Sequence, residues 1–186
     1  MQTIVRNATF TLCFFLLTVT LSAQRNSKWA TPIKTTYIEN FYKVDSGIYR
    51  SAQPSAEAFA EMEKMGIKEV LNLRNYHSDD DEAKGTNLTL HRIAMKASNS
   101  DWDKMVEALR IIKNRKGPIV IHCWHGSDRT GLTVALYRIA FQNWSKDDAI
   151  DELENGGYGY HKIYGNIKTF IRNLDVDEFR KEVMKK

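Results

Sequence analysis

GPIVIHCWHGSDRTG, running from Gly117 to Gly131, reads as a buried strand, a short loop and the opening of a helix. Pro118, Ile119, Val120 and Ile121 make an apolar run too short for a helix and opened by a Gly-Pro turn signal. The loop spans Cys123 to Arg129. From Thr130 the stretch TGLTVALYRIAFQNW sets Leu132, Val134, Ala135 and Ile139 at helical spacing. A cysteine at the carboxyl end of a strand, six residues before an arginine at a helix N-terminus, is an arrangement for holding a phosphate over a thiolate.

Each residue type has a physical task in that arrangement. A cysteine attacks as the thiolate, a form that helix N-termini and nearby cations favour. Trp124, His125, Gly126, Ser127 and Asp128 span enough backbone to wrap N–H groups around one tetrahedral anion. The helix dipole adds positive potential at the same point. Gly126 lets the chain turn and approach closely. Arg129 presents a planar fork to two phosphate oxygens, which lysine does not copy. Thr130 is expected to place a hydroxyl against the sulfur, and His122 to orient the loop through its ring nitrogens. A lone cysteine is usually a small buried hydrophobe. The apolar strand before it, the internal glycine and Arg-Thr-Gly at the helix start set this one apart.

The surrounding chain is that of one globular domain, 186 residues with a formal charge of +4. Its basic residues are scattered, which argues against a nucleic-acid surface, and the mild excess favours anionic ligands. Residues 1–23 read as a secretory signal peptide. Arg6 supplies the positive start, Ala8 to Leu21 the apolar core, and Ser22-Ala23 the small residues for cleavage. Cys13 lacks the small residues expected before a lipidated cysteine. The expectation is an exported soluble protein, periplasmic or secreted, with no membrane contact after cleavage. Cleavage would leave Cys123 as the sole cysteine, kept for reactivity rather than for a disulfide.

Residues 24–36 read as a polar, flexible leader and 37–186 as the folded domain. Lys43 to Arg50 is predicted to form a hairpin or edge strand around Asp45-Ser46-Gly47. Ser55 caps a helix that ends at Gly66, and Val70 to Leu73 is a strand. Arg74, at that strand's end, could meet an anion but reads more simply as a packing or surface ion-pair residue. HSDDDE, His77 to Glu82, lacks the glycine and glutamate of a calcium loop and reads as a solvated acidic loop, with a pocket-rim role as the second reading. Thr89 to Ala94 is a strand, Asp101 to Lys113 a helix, and Lys146 to Glu154 a helix capped by Ser145. GGYGY, residues 156–160, reads as a flexible turn, and helices follow at 166–174 and 176–184. Strands alternating with helices indicate an α/β sheet covered on both faces, with the cysteine loop at the strand end where such folds bind ligands.

HCWHGSDRTG resembles the His-Cys-x5-Arg-Thr/Ser phosphate loop of the cysteine-dependent protein tyrosine phosphatases, in their compact dual-specificity form. GIYRSAQP near the start, the run from Gly117 to Leu153 and GGYGY are similar to the exported bacterial members of that family. The resemblance implies a dual-specificity-phosphatase-like fold, a small, mostly parallel central sheet flanked by helices on both faces. It implies a monomeric hydrolase without metal or cofactor that acts on phosphorylated proteins or small phosphates. Cys123 would attack phosphorus in line, Arg129 and the loop amides would bind the equatorial oxygens, and water would then hydrolyse the phosphocysteine.

The family also uses an aspartate upstream of the cysteine to protonate the leaving oxygen. There this chain reads MKASNSDWD and departs from the pattern. Asp101 is the nearest candidate, Asp103 the next. Asp101 serves equally as the N-cap of its helix. Asp128 is a third candidate, although an inward charge would repel phosphate, so it is expected to point out and pair with a cation. His125 could donate as well but should project outward. Phosphotyrosine, with phosphoserine or phosphothreonine, is the first substrate reading and inositol polyphosphates the second. A non-catalytic phosphate-binding module and a sulfurtransferase rank behind them, because Cys123, Arg129 and Thr130 are all present.

Overall fold

The computed structural model describes residues 25–185. The expected signal peptide, residues 1–23, lies outside them. The strands are β1 (Thr31–Pro32), β2 (Tyr42–Lys43), β3 (Ile48–Ser51), β4 (Glu69–Arg74), β5 (Thr89–Met95) and β6 (Ile119–His122). They form one sheet in the order β1-β2-β3-β6-β4-β5. β3, β6, β4 and β5 run parallel, and β1 and β2 extend the sheet antiparallel from β3. Val120 of β6 sits between Tyr49 and Val70, so the cysteine leaves the sheet beside its centre.

Alternation along β6 divides the core. Val120 joins Ile38, Phe41, Ile67 and the Ala58 and Met62 side chains of α1 (Ala56–Lys64) on one face. Ile119 and Ile121 face the larger core on the other. That core is built with α2 (Trp102–Asn114), α3 (Asp128–Gln142), α4 (Lys146–Asn155), α5 (Gly165–Asn173) and α6 (Val176–Met184). α3 is buried on nearly every side, which explains why its sequence shows apolar residues all round rather than one stripe. Helices therefore cover both faces of a mostly parallel sheet, as the sequence predicts. The hairpin turn is held by Asp45 Oδ1, which accepts from the N–H groups of Gly47 and Ile48 at 2.9 and 3.0 Å. Ser55 and Ser145 cap α1 and α4.

Two expectations change. The described part of the leader, 25–36, is docked rather than loose. Ala30 is fully buried and its N–H donates to Glu152 Oε1 at 2.7 Å. The Arg25 guanidinium donates to the carbonyls of Ala30 and Gly156 and to the Tyr158 hydroxyl, and Thr31–Pro32 pairs with β2. The cause is chemical: Glu152 is a buried carboxylate paired with buried Arg138, and the leader supplies one of the N–H groups that satisfy it. The GGYGY turn is likewise anchored, because Tyr158 is buried against these groups.

Candidate active site

β6 delivers Cys123 to the floor of a loop that α3 closes. The cysteine is 1 % exposed and unpaired. The loop's carbonyls are taken from outside. Gln53 N–H donates to Trp124 O at 3.0 Å, Asn40 Nδ2 to His125 O at 2.7 Å, and Arg50 Nη2 to Gly126 O at 2.6 Å. A trans peptide points its N–H opposite to its C=O. Pulling these oxygens outward therefore turns the N–H groups of His125, Gly126 and Ser127 inward, and among the described residues no backbone acceptor meets them. Gly126 sits at φ +72°, and a Cβ there would collide with the Ser51 carbonyl, so the turn requires glycine on two counts.

Positive charge surrounds this ring of donors. Arg129 Nη1 lies 3.3 Å from the Leu73 and Met95 carbonyls, and its buried Nε has no partner. The Thr130 hydroxyl is also buried and unpartnered. It makes no hydrogen bond to Cys123 Sγ. Unpaired buried donors at a helix start suit an anion. Arg50 is fully buried behind the loop, its guanidinium 3.6 Å from the centre of the Tyr158 ring. Burial lowers its pKa, while Tyr158, Glu152 and Cys123 oppose that shift. Arg74 lines the cleft, packed on Trp124, and no ion pair of Arg74 is found among the described residues. It stacks 4.1 Å over Trp124 and donates to Gln53 Oε1 at 3.0 Å. Burial and then the like charge of Arg129 lower its pKa.

His122 reaches further than its sequence position suggests. Its Nε2 is 2.8 Å from Asp79 Oδ2, and Nδ1 is 3.2 Å from the Cys123 carbonyl. Asp79 belongs to the acidic run read as solvated, yet it is 4 % exposed. Its other oxygen accepts from Gln53 Nε2 at 2.9 Å. Burial pushes the Asp79 carboxyl up, but the His122 and Gln53 hydrogen bonds and the His122 charge outweigh it, and the net shift is downward. A chain of contacts thus runs from His122 through Asp79 and Gln53 to Arg74. Neither Asp79 nor Arg50 carries a local signal of this role; a buried histidine needing an acceptor is the one hint in the sequence.

Two of the sequence candidates for the proton donor, Asp101 and Asp103, lie outside the cleft lining. Asp101 caps α2, its Oδ1 accepting from Lys104 N–H at 3.1 Å, and it does not line the cleft. Asp103 is exposed in the first turn of α2. The helix cap takes up the Asp101 carboxylate, and neither Asp101, expected as the acid, nor Asp103 lines the cleft. The cleft above the loop holds about 450 Å³ and is lined by Arg74, Tyr76, Trp124, His125, Arg129 and Tyr164, with Asp128, His161 and Ile163 on its wall. Asp128, expected to point out and pair with a cation, is buried at the cleft wall and pairs with His161. Oδ1 accepts from the His161 backbone N–H and Oδ2 lies against His161 Nδ1, both at 2.9 Å.

Comparison with known proteins places this geometry. Residues 36–186 match the model of the tyrosine phosphatase family. The chain is 31 % identical over 164 residues to the dual specificity protein phosphatase TpbA of Pseudomonas aeruginosa, covering 86 % of this chain and 72 % of that protein. A crystal structure of a cysteine-to-serine TpbA in complex with pTyr superposes with a TM-score of 0.78 at 28 % identity, covering 88 % of this chain and 100 % of that one. The inositol diphosphatase SIW14 of Saccharomyces cerevisiae is 30 % identical over 153 residues, 77 % of this chain and 53 % of its own length. The SIW14 catalytic domain in complex with citrate superposes with a TM-score of 0.68 at 31 % identity, covering 80 % and 93 %.

Proposed function

The chain belongs to the tyrosine phosphatase family, and we propose that it is an exported enzyme acting on phosphotyrosine. The cysteine-dependent hydrolysis of phosphomonoesters is the family's chemistry. The observation that carries the substrate reading is the cleft itself, in which an anion-binding floor, Cys123 to Arg129, lies beneath walls from Tyr76, Trp124 and Tyr164. A phosphoaryl group would place its phosphate among the N–H groups and its ring between flat apolar surfaces.

In this reading the Cys123 thiolate attacks phosphorus in line. Arg129 and the N–H groups of residues 124–130 hold the equatorial oxygens, and Arg74 and Arg50 add positive charge in front of and behind the loop. His122 and Asp79 fix the loop's first peptide. Water then cleaves the phosphocysteine.

A second reading is hydrolysis of inositol polyphosphates, favoured by the named activity of the SIW14 relative and by Arg74 in the cleft. A panel of phosphotyrosine peptides, phosphoserine peptides and inositol polyphosphates separates the two, with Cys123→Ser as the blank. The expected result is turnover of phosphotyrosine peptides at least 10-fold faster than the others, a margin of about 1.4 kcal/mol in transition-state binding. Faster turnover of inositol polyphosphates would reverse the assignment, and full activity of Cys123→Ser would remove the mechanism. Export rests on residues 1–23; mature protein beginning at Gln24 supports it, and intact Met1 on the exported material refutes cleavage.

A further inference from the structure

We infer that His161, held by Asp128, is the proton donor to the leaving oxygen. The inference deepens the phosphatase reading above and rests on it. Displacing an alkoxide or phenoxide from phosphorus requires a proton at the departing oxygen. Of the aspartates read from the sequence as donors, Asp101 caps α2, Asp103 is exposed outside the cleft lining, and Asp128 is held to His161 by both of its oxygens. Among the described residues, His161 is the cleft-lining acid–base group whose ring a carboxylate fixes.

The geometry is that of an oriented imidazole. Asp128 Oδ2 takes Nδ1–H at 2.9 Å and Oδ1 takes the His161 backbone N–H at 2.9 Å, so ring and backbone are clamped by one buried carboxylate. That leaves Nε2 as the nitrogen able to serve a ligand. Asp128 immediately precedes Arg129, so the clamp is built on the residue next to the one that grips the phosphate. His161 is therefore tied to the anion site through one residue. The other groups facing the ring are His125, with ring centroids 5.3 Å apart, and Tyr164, at 6.3 Å, while Arg129 and Arg74 line the same cleft.

The steps balance. As the Cys123 Sγ–P bond forms and the P–O ester bond breaks, the protonated ring gives its Nε2 proton to the departing oxygen. The product leaves as a neutral phenol or alcohol and His161 remains neutral. The attacking water then returns a proton to Nε2 as its oxygen bonds to phosphorus and the P–S bond breaks. Inorganic phosphate leaves, and both the thiolate and the imidazolium are restored.

The test compares wild type, His161→Gln and Asp101→Asn on phenyl phosphate, a poor leaving group, and 4-nitrophenyl phosphate, a good one. General acid catalysis contributes about 10²–10⁴-fold. His161→Gln is expected to lower kcat/KM on phenyl phosphate by at least about 10²-fold and on 4-nitrophenyl phosphate by less than about 10-fold. The alkaline limb of the phenyl phosphate pH profile should disappear with it. Inhibition by inorganic tungstate should be unchanged, showing an intact phosphate site, and Asp101→Asn should keep the wild-type leaving-group dependence. Equal losses on both substrates, or an unaltered pH profile, overturn the assignment, as does a selective loss in Asp101→Asn. Failure of the phosphatase reading itself would show differently, as activity retained by Cys123→Ser.

Discussion

Asp79 carries more of the site than its sequence neighbourhood advertises. Its carboxyl titrates below its ordinary value because His122 and Gln53 hydrogen-bond the ionised form more strongly than burial penalises it. A group depressed on folding contributes stability that is present above its unfolded pKa, about 3.9, and is lost as pH falls through the folded value. Asp79→Asn should therefore lower stability by about 1–3 kcal/mol at pH 7. The gap to wild type should narrow as pH falls below about 3.9 and on through the lower folded value, where Asp79 takes up a proton in both states. Thermal melts of both proteins across that range check the sign; a gap that widens in acid would refute it. Cys123, Gly126 and Arg129 were legible in the sequence because their chemistry is set by neighbours within one loop. Asp79, Arg50 and His161 were not, because each acts on a partner far along the chain: His122 at a separation of 43 residues, Gly126 at 76 and Asp128 at 33.

Among the elements, α2 shows how a local rule and a functional expectation can compete for one side chain. Asp101 satisfies an otherwise unpaired N–H at the start of this helix, and its neighbours Trp102 and Met105 pack into the core. Asp101→Ala should cost about 0.5–2 kcal/mol, the usual price of a lost N-cap. It should leave kcat/KM for phenyl phosphate, whose poor leaving group needs the proton, within about twofold of wild type, and a large loss of that activity without a loss of Tm would return Asp101 to the cleft. Most elements could be read because their signals are short-range. β6 is an apolar run after Gly-Pro, and Ser55 and Ser145 stand at helix starts. β1 could not. It has two residues, both exposed, and exists because the sheet edge at β2 is there to pair with.

Across the whole molecule, Glu152 ties together segments that the sequence leaves unrelated. It accepts from Arg138 of α3, from the Tyr158 hydroxyl and from the Ala30 N–H of the docked leader. Tyr158 in turn offers its carbonyl to Asn40 and Ser127, beside the phosphate loop. A chain beginning at Lys34 would leave Glu152 short of a donor and Tyr158 without Arg25. Loss of such a partner to a buried charged group costs about 1–3 kcal/mol or more. Such a chain should melt several degrees below one beginning at Arg25, with reduced kcat/KM for phosphotyrosine peptides. Equal melting temperatures would show the leader to be dispensable.

The outward grip on the loop carbonyls by Asn40, Arg50 and Gln53 also has a thermodynamic consequence. The ordering entropy of the loop is spent when the chain folds, not when an anion arrives. Calorimetry of tungstate binding should then show only a small heat-capacity change, because little surface is newly buried and no segment condenses around the ligand.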